Sequence, residues 1–363
     1  MNAEQIRELS AQADLRPLTG EEVLAMVKSE GEDAFDALMD GAESLRRKYK
    51  GNDVSLCAIV NAKSGKCGEN CGFCAQSVHF DTGVSEYDFI GKDAVLDAAK
   101  RARQMGAREF SMVLAGRKIR KKEIRIAQEI FPEIQRETGM SPCCSPGAVN
   151  AEDVAELKAA GLNMFHHNLE TARSHYAEVC GTRDYDDNRR AVEEANKAGL
   201  FTCCGGIFGM GETWEQRVEL LLDLRDLDVD SVPINFLNPI PGTPMEDFET
   251  LPEEECLRII ALARHLMPTK QILIAGGRQV HLKDRQKDIF RAGASGMMIG
   301  DYLTTKGADP WQDHRMLEEL GMSIAPCDKH GGHADVTEPV ASPIPVQPLP
   351  TGYTPVRFVR SPE

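Results

Sequence analysis

The chain has 363 residues, of which 42% are hydrophobic and 27% are charged, and this composition is typical of a soluble globular protein with one large domain or two ordinary ones. Its formal net charge of −15 argues against binding to nucleic acid or to an anionic membrane, because both attract surplus lysine and arginine. No apolar run is long enough to span a bilayer and the amino terminus is polar, so we expect a cytoplasmic location.

Two kinds of sequence pattern alternate along the chain after a helical region at residues 3–49. The apolar or β-branched runs that predict strands are 56–62, 109–116, 140–147, 162–170, 200–209, 231–239, 271–277 and 294–300. The amphipathic stretches that predict helices are 92–106, 121–139, 151–161, 185–199, 214–228 and 251–267. Eight alternating units over roughly 250 residues favour an α/β fold of the (β/α)8 TIM-barrel type, and a doubly wound open sheet is the alternative.

These patterns divide the chain into three parts. We predict a helical extension at residues 1–50, a barrel at 51–325 and a proline-rich, extended tail at 326–363. The tail contains CDKHGGH at 327–333, but this segment lacks a fourth ligand nearby, so a metal site there is not favoured. In a barrel of this type, functional side chains lie at the carboxyl ends of the strands or in the loops that follow them.

The segment KCGENCGFCAQS follows the first predicted strand and places Cys67, Cys71 and Cys74 within eight residues. Structural zinc is usually held by four ligands in two separated pairs, and a redox C-x-x-C pair would leave Cys67 unexplained. A [4Fe–4S] cluster with one iron open to a small molecule uses all three thiolates. The chain has eleven cysteines, and in a cytosolic protein they do not indicate a disulfide framework; we interpret Cys180 and Cys256 as small buried hydrophobes.

The C-x3-C-x2-C motif, with Phe73 before its last cysteine, resembles the radical S-adenosylmethionine (SAM) superfamily. Together with HHNLET, CCGGIFGMGET, SVPINFLNPIPGTP and AGGRQ, it resembles the biotin synthase family over residues 54–322. The resemblance implies a transferase of biotin biosynthesis that cleaves SAM to a 5′-deoxyadenosyl radical, removes hydrogen from dethiobiotin and inserts sulfur from an auxiliary iron–sulfur cluster. It also implies flavodoxin or ferredoxin as reductant, and a homodimer is compatible with it.

The resemblance further implies an auxiliary cluster inside the barrel, with ligands at Cys143, Cys203 and Arg278. A fourth ligand, a cysteine on the second strand, is replaced by Ser111 in this chain, and Cys57 on the first strand is the expected substitute. The auxiliary cluster is therefore expected to be [2Fe–2S] or a variant type. Because neighbouring side chains on a strand point to opposite faces, Cys144 and Cys204 are expected to face the helices.

The same matching assigns the SAM site to Phe73, Asn168, Glu170 and Ile207, and the substrate contacts to His166, Asn168 and Asn235. Glu170 replaces an aspartate of the family and keeps the charge for a ribose hydroxyl. His166 replaces an asparagine of the family's substrate pocket.

Two other classes of function remain as alternatives. A related radical SAM enzyme of the hydrogenase-maturase type would keep the three loop cysteines but need not keep Cys143, Cys203 and Arg278 together. A non-catalytic protein whose cluster only carries electrons predicts no pocket at the barrel mouth. Polar residues at the predicted strand ends argue against that reading, since buried polar groups without a partner are unfavourable.

Overall fold

The structure is a computed structural model, and it describes residues 1–325. The predicted tail, with its CDKHGGH segment, lies outside the described residues. In the part of the chain that is described, no helix is both long and apolar enough to cross a membrane.

Ten strands are present in the described residues, and all eight predicted strand regions contain one. They are β1 (Asp53–Lys63), β2 (Glu109–Leu114), β3 (Ser141–Ser145), β4 (Met164–His166), β5 (Phe201–Cys203), β6 (Gly206–Phe208), β7 (Ser231–Phe236), β8 (Gln271–Ile274), β9 (Gly296–Met298) and β10 (Ser323–Ile324).

The strands form a closed parallel barrel, which confirms the (β/α)8 prediction over the open sheet. Neighbours pair in chain order, and β1 closes the ring by pairing with both β2 and β9. The fifth barrel strand is split into β5 and β6, and both halves pair with β7. The break contains Gly205, where an added Cβ would lie 1.9 Å from the Pro233 carbonyl oxygen, so only glycine allows this approach.

Helices surround the barrel. They are α1 (Ala3–Ala13), α2 (Gly20–Val27), α3 (Glu32–Lys50), α4 (Lys92–Gln104), α5 (Lys121–Thr138), α6 (Ala151–Ala159), α7 (Tyr176–Val179), α8 (Tyr185–Lys197), α9 (Trp214–Asp226), α10 (Glu253–Leu266), α11 (Arg278–Leu282) and α12 (Pro310–Glu319), with 3-10 turns at Arg173–His175 and Lys283–Ile289. Of the first three helices, α1 and α3 pack against each other, α2 packs against α9, and all three contact α10.

Alternation along the strands separates an apolar outer face from a more polar inner face. On β2, Phe110 and Met112 belong to the main core between sheet and helices, whereas Ser111 and Val113 line the interior cavity. The same rule places cysteines on both faces of β3 and β5, as described below. The outer face provides most of the buried apolar area, and the inner face is therefore free to carry chemistry.

Candidate active site

A cavity of about 350 Å³ occupies the inside of the barrel and opens at the carboxyl ends of the strands. It is lined by two separate sets of cysteines. The mouth set is on the loop after β1 and consists of Cys67, Cys71 and Cys74; the floor set is on β1, β3 and β5 and consists of Cys57, Cys143 and Cys203. Six thiols in one cavity are the most unusual chemical feature of the described residues.

The loop that carries the mouth set is folded back on itself by backbone hydrogen bonds. The Cys67 N–H donates to the Gln76 carbonyl at 3.0 Å, and the Cys67 carbonyl accepts from the Val78 N–H at 2.8 Å. The Ser77 hydroxyl donates to the Glu69 carbonyl at 2.6 Å. These bonds hold the loop in place, so the three thiols are presented to the cavity by a fixed backbone.

The spread of the mouth thiols fits a cluster better than a lone ion. Within residues 1–325, no three His, Cys, Asp or Glu side chains converge closely enough to hold one metal ion. An iron–sulfur cube takes one thiolate on each iron, so its ligands need not converge. Burial raises the pKa of Cys74 to about 11, so this group is a thiol in the metal-free protein and would have to release its proton in order to bind iron.

The floor set lies deeper, among apolar side chains. Cys143 and Cys203 pack with Met164, while Cys57 packs with Leu273. Burial is the main reason that the pKa of Cys143 is raised to about 12 and that the pKa values of Cys57 and Cys203 are raised well above their usual range. Electrostatic coupling of Cys57 to both other floor thiols indicates that the three face one interior space.

The neighbouring cysteines point the other way. Cys144 and Cys204 are fully buried in the main core between sheet and helices, and neither lines the cavity. This placement is the one that strand alternation leads us to expect.

Ser111 lies in the cavity wall between the strands of two floor cysteines. In the sheet it is level with Cys143 on one side and Ile59 on the other. Its hydroxyl makes no hydrogen bond of ordinary geometry within residues 1–325, although it lies close enough to Cys143 to act against the burial effect on that thiol's pKa. A buried hydroxyl without a full partner, facing three thiols, is consistent with a ligand that binds there.

The structure does not place Arg278 with the floor cysteines. Gly277, with φ of 80°, turns the chain after β8, so Arg278 begins α11 and does not line the cavity. Its guanidinium is fully buried and donates to both Asp313 carboxylate oxygens, at 2.8 and 2.9 Å. The residue of β8 that does face the floor is Leu273, beside Cys57. Arg278 therefore braces α12 against the barrel, and the expected role as a cluster ligand has no support from its position.

Polar residues at the end of β4 form one side of the mouth. The Asn168 side-chain oxygen accepts from the Gly205 N–H at 3.2 Å. Glu170 adopts a left-handed backbone with φ of 71°, and its carbonyl accepts from the Ile207 N–H at 2.7 Å. Glu170 lines the interior cavity, and desolvation by burial raises the pKa of Glu170 to about 7.

The remaining predicted residues line the same cavity. Phe73 and Ile207 pack against one apolar cluster formed by Val179, Met210, Leu237 and Met245. The Asn235 amide is held at both ends, because it donates to the Gly206 carbonyl and accepts from the Gly276 N–H. Burial lowers the pKa of His166 to about 4, so this ring is neutral near pH 7.

Sequence reasoning missed the one cationic side chain among the described residues that line the cavity. Arg183 is the only lysine or arginine among the described residues that line the cavity. Its Nε is buried and makes no hydrogen bond within residues 1–325, while its Nη1 donates to Asn188 at 3.2 Å. Arg183 follows α7 in a loop with no recognisable motif, so only its position in the fold identifies it.

Comparison with known proteins matches this chain both to family patterns and to individual relatives. The pattern of the Radical SAM superfamily matches residues 62–224, and that of the Biotin and Thiamin Synthesis associated domain matches residues 233–323. The chain is 47% identical to a biotin synthase from Anaeromyxobacter sp. (strain Fw109-5), over 86% of this chain and 85% of that one. It is 46% identical to a biotin synthase from Geobacter metallireducens, over 85% and 94% of the two chains.

Solved structures show the same fold at low sequence identity. A methylornithine synthase superposes with a TM-score of 0.76 at 20% identity, covering 88% of this chain and 98% of that one. The FeFe-hydrogenase maturase HydG from Carboxydothermus hydrogenoformans gives a TM-score of 0.75 at 18% identity, over 88% and 79% of the two chains. At these identities the likeness concerns the barrel alone.

Proposed function

The chain belongs to the biotin synthase family, and we propose that its two sets of cavity-lining cysteines hold the two iron–sulfur clusters with which it converts dethiobiotin to biotin. It is a radical SAM enzyme that inserts sulfur, and its cofactors are a [4Fe–4S] cluster, SAM and an auxiliary iron–sulfur cluster. The observation that carries the residue assignment is that both cysteine sets line one cavity.

The donor sets fit the two groups. In the mouth set, three thiolates on a fixed loop would hold three irons of a [4Fe–4S] cluster, and the fourth iron would be open to SAM. With SAM and both clusters bound, the site supplies a carbon-centred radical for hydrogen abstraction and a sulfide for the new carbon–sulfur bonds. Every other contribution comes from the protein, which positions the reacting atoms and excludes water.

The mouth residues are suited to SAM. The apolar wall of Phe73 and Ile207 offers a flat surface for an adenine ring, and the Glu170 carboxylate can accept hydrogen bonds from ribose hydroxyls. Arg183, with a buried Nε that lacks a partner within residues 1–325, is suited to the carboxylate of the methionyl group. Asn168 fixes the backbone between these groups through the Gly205 N–H.

The residues deeper in the barrel are suited to dethiobiotin. The Asn235 amide, oriented by its two backbone hydrogen bonds, and the neutral His166 ring offer polar contacts for a ureido group. We assign the floor cluster to Cys57, Cys143 and Cys203, and we do not assign Arg278 to it, because its guanidinium is committed to Asp313 outside the cavity. Ser111 faces the same space, so the fourth ligand position of this cluster is not assigned to a cysteine.

Three further proposals concern the setting of the reaction. A flavodoxin or ferredoxin supplies the electrons, since the sequence has no complete nicotinamide or flavin motif. A homodimer and a cytoplasmic location follow from the family resemblance and the acidic composition, and both stay predictions.

The hydrogenase-maturase alternative is not favoured, because HydG shares the fold at only 18% identity while biotin synthases share more than 40% of residues.

The assignment is tested by Mössbauer spectroscopy with iron and sulfide analysis on anaerobically purified protein. Wild type is compared with a variant in which Cys67, Cys71 and Cys74 are all alanine. We expect wild type to show two clusters and the variant to keep the floor cluster, with a spectrum that reports its composition. A variant free of iron would contradict the assignment of a second, independent cluster to Cys57, Cys143 and Cys203.

A further inference from the structure

A fourth cysteine lies directly behind the mouth set. The Cys180 Sγ is 3.4 Å from the Cys71 Sγ, although the two residues are 109 positions apart in the chain. Cys180 is 4% exposed and packs in the main core, and it is not among the residues that line the cavity. Cys71, in contrast, lines the cavity and is only partly buried. The pair therefore has one accessible thiol and one shielded thiol.

The backbone on both sides of this pair is fixed by hydrogen bonds. The Gly72 N–H donates to the Val179 carbonyl at 2.8 Å. On the other side, the Asn70 N–H donates to the Thr182 hydroxyl at 2.9 Å, and the Asn70 side-chain oxygen accepts from the Gly181 N–H at 2.8 Å. These bonds bring the two segments side by side, as a disulfide requires. To form the bond, the two sulfurs must come about 1.4 Å closer than the observed 3.4 Å.

We propose that Cys71 and Cys180 form a reversible disulfide when the [4Fe–4S] cluster is absent. In the first step, the Cys71 sulfur, which faces the cavity, loses its proton and attacks a small-molecule disulfide that enters the cavity, forming a mixed disulfide and releasing one small thiol that carries the proton away. In the second step, the Cys180 thiolate attacks the Cys71 sulfur and releases the other. The two protein thiols lose two protons and two electrons, and the small disulfide is reduced to two thiols.

The disulfide between these two residues protects the cluster site from irreversible oxidation of Cys71. An exposed thiol that has lost its iron can be oxidised to sulfinic or sulfonic acid, which thiol reductants do not reverse. The disulfide stores Cys71 in a form that a thiol reductant restores. Cys180 lies on the side of Cys71 away from the cavity, so it is a resolving thiol and not a fourth iron ligand. The inference rests on the assignment of Cys71 as a ligand of the mouth cluster.

The disulfide is tested on the full-length protein. The clusters are removed anaerobically with a chelator and reductant, the reductant is exchanged out, and 2-hydroxyethyl disulfide is added as the oxidant. Digestion with Glu-C and chymotrypsin separates the three loop cysteines, because Glu69 precedes Asn70 and Phe73 precedes Cys74. Mass spectrometry without reduction is expected to find Asn70–Phe73 linked to Val179–Tyr185. A product linking Cys71 to Cys67 or Cys74, or no linked product, would overturn the proposal.

Variants test the protective role. After exposure of the cluster-free protein to hydrogen peroxide, wild type is expected to regain its [4Fe–4S] absorbance once dithiothreitol, iron and sulfide are added. Cys180→Ala is expected to regain several-fold less, with sulfinic or sulfonic acid on Cys71. Cys256→Ala, which removes a buried thiol on α10, is the matched control and should behave as wild type. Equal recovery of wild type and Cys180→Ala would contradict the protective role.

These readouts are independent of the proposed reaction. Cys180→Ala protein that has never lost its clusters is expected to form biotin at the wild-type rate. If wild type itself forms no biotin, the proposed function fails, while the peptide map still decides whether the disulfide forms. If Cys180→Ala folds poorly, the linked peptide in wild type decides the proposal alone.

Discussion

The mouth and the floor of the barrel hold three cysteines each, but they are built in different ways. The mouth set comes from one loop of eight residues, fixed by hydrogen bonds within the loop. The floor set comes from three alternate strands of the barrel that are far apart in sequence and face one interior space, at Cys57, Cys143 and Cys203. A local motif can therefore identify the first site, whereas the second exists only once the sheet has its correct register.

The surroundings of the two sets differ as well. The loop is polar and rich in glycine, and its thiols reach the opening of the cavity. The floor thiols are enclosed by Met164, Leu273 and Met298, and burial raises the pKa of each. A cluster at the mouth can meet an external reductant, while one at the floor is shielded from solvent. The comparison predicts that damage to the two sites has separable effects.

The largest effect is expected from the mouth. Cys67→Ala removes one of the three proposed thiolate ligands on the loop, and we expect SAM cleavage and biotin formation both to fall below detection. Quantifying 5′-deoxyadenosine and biotin by chromatography checks this result. Cys256→Ala is the control, because this fully buried thiol lies on α10 and does not line the cavity. SAM cleavage by Cys67→Ala at a rate near that of wild type would exclude Cys67 as an essential ligand.

Substitution of a floor cysteine is expected to separate SAM cleavage from sulfur transfer. Cys203→Ala and Cys57→Ala should each retain some SAM cleavage, since the mouth set is intact, but lose sulfur transfer to dethiobiotin. The ratio of 5′-deoxyadenosine to biotin is the measurement. Cys204→Ala is a closely matched control, because this thiol is next in the chain yet faces the outer core. Biotin formation by Cys203→Ala would reject Cys203 as an essential ligand of the auxiliary cluster.

A third prediction concerns a buried carboxyl group that lies level with Cys57 in the sheet. Glu109 on β2 accepts a hydrogen bond from the Ser55 hydroxyl at 3.1 Å, and burial raises the pKa of Glu109 from 4.5 to about 7. Because the folded protein holds this proton more tightly than the unfolded chain, the stabilising contribution is complete below pH 4.5 and is lost as the pH rises through 7. The difference between these two pKa values corresponds to about 3 kcal/mol of unfolding free energy.

Glu109→Gln should remove this pH dependence. Relative to wild type, the cluster-free variant is expected to gain up to about 3 kcal/mol in unfolding free energy between pH 4.5 and pH 8. Denaturant unfolding at several pH values measures the difference. If the difference in unfolding free energy between Glu109→Gln and wild type is the same at pH 4.5 and at pH 8, the Glu109 carboxyl does not have the raised pKa that its burial implies.

The smallest effect is expected at Ser111. If Cys57 has taken over from the missing cysteine, Ser111→Cys should change the rate of biotin formation by less than about twofold, which is about 0.4 kcal/mol in activation free energy. The Mössbauer spectrum of the floor cluster shows at the same time whether the added thiol binds iron. Ser111→Ala separates the effect of the new thiol from the loss of the hydroxyl. A large gain in activity with Ser111→Cys would mean that Cys57 is not a sufficient substitute.

Much of the fold could be predicted because its signals are periodic. Eight strand regions and the helices between them follow from hydrophobic pattern, and closure into a barrel follows from their number and spacing. The split of the fifth strand at Gly205 could not be predicted, since it depends on contact with Pro233 on β7. The mouth set was evident from spacing alone.

The floor and the surroundings of the mouth were harder to predict, for a physical reason. Arg278 matched a motif, but a glycine turn places it beyond the strand, where it pairs with Asp313. Cys180 was interpreted as an inert core thiol; it is indeed buried, but it also contacts Cys71. Arg183 and Glu109 carry no local signal. In each case the decisive partner is distant in sequence, so only the folded chain reveals it.

The first strand has a consequence for the geometry of both sites. β1 carries Cys57 at the floor and runs to Lys63, four residues before Cys67 at the mouth, with one shift of register against β2 between Asn61 and Lys63. At about 3.3 Å per residue, the strand spans about 20 Å between Cys57 and Lys63. The length of this strand therefore sets the distance between the two sites. One inserted residue between Cys57 and Lys63 would lengthen the strand, and it would also turn the side chains on one side of the insertion to the opposite face of the sheet relative to those on the other side.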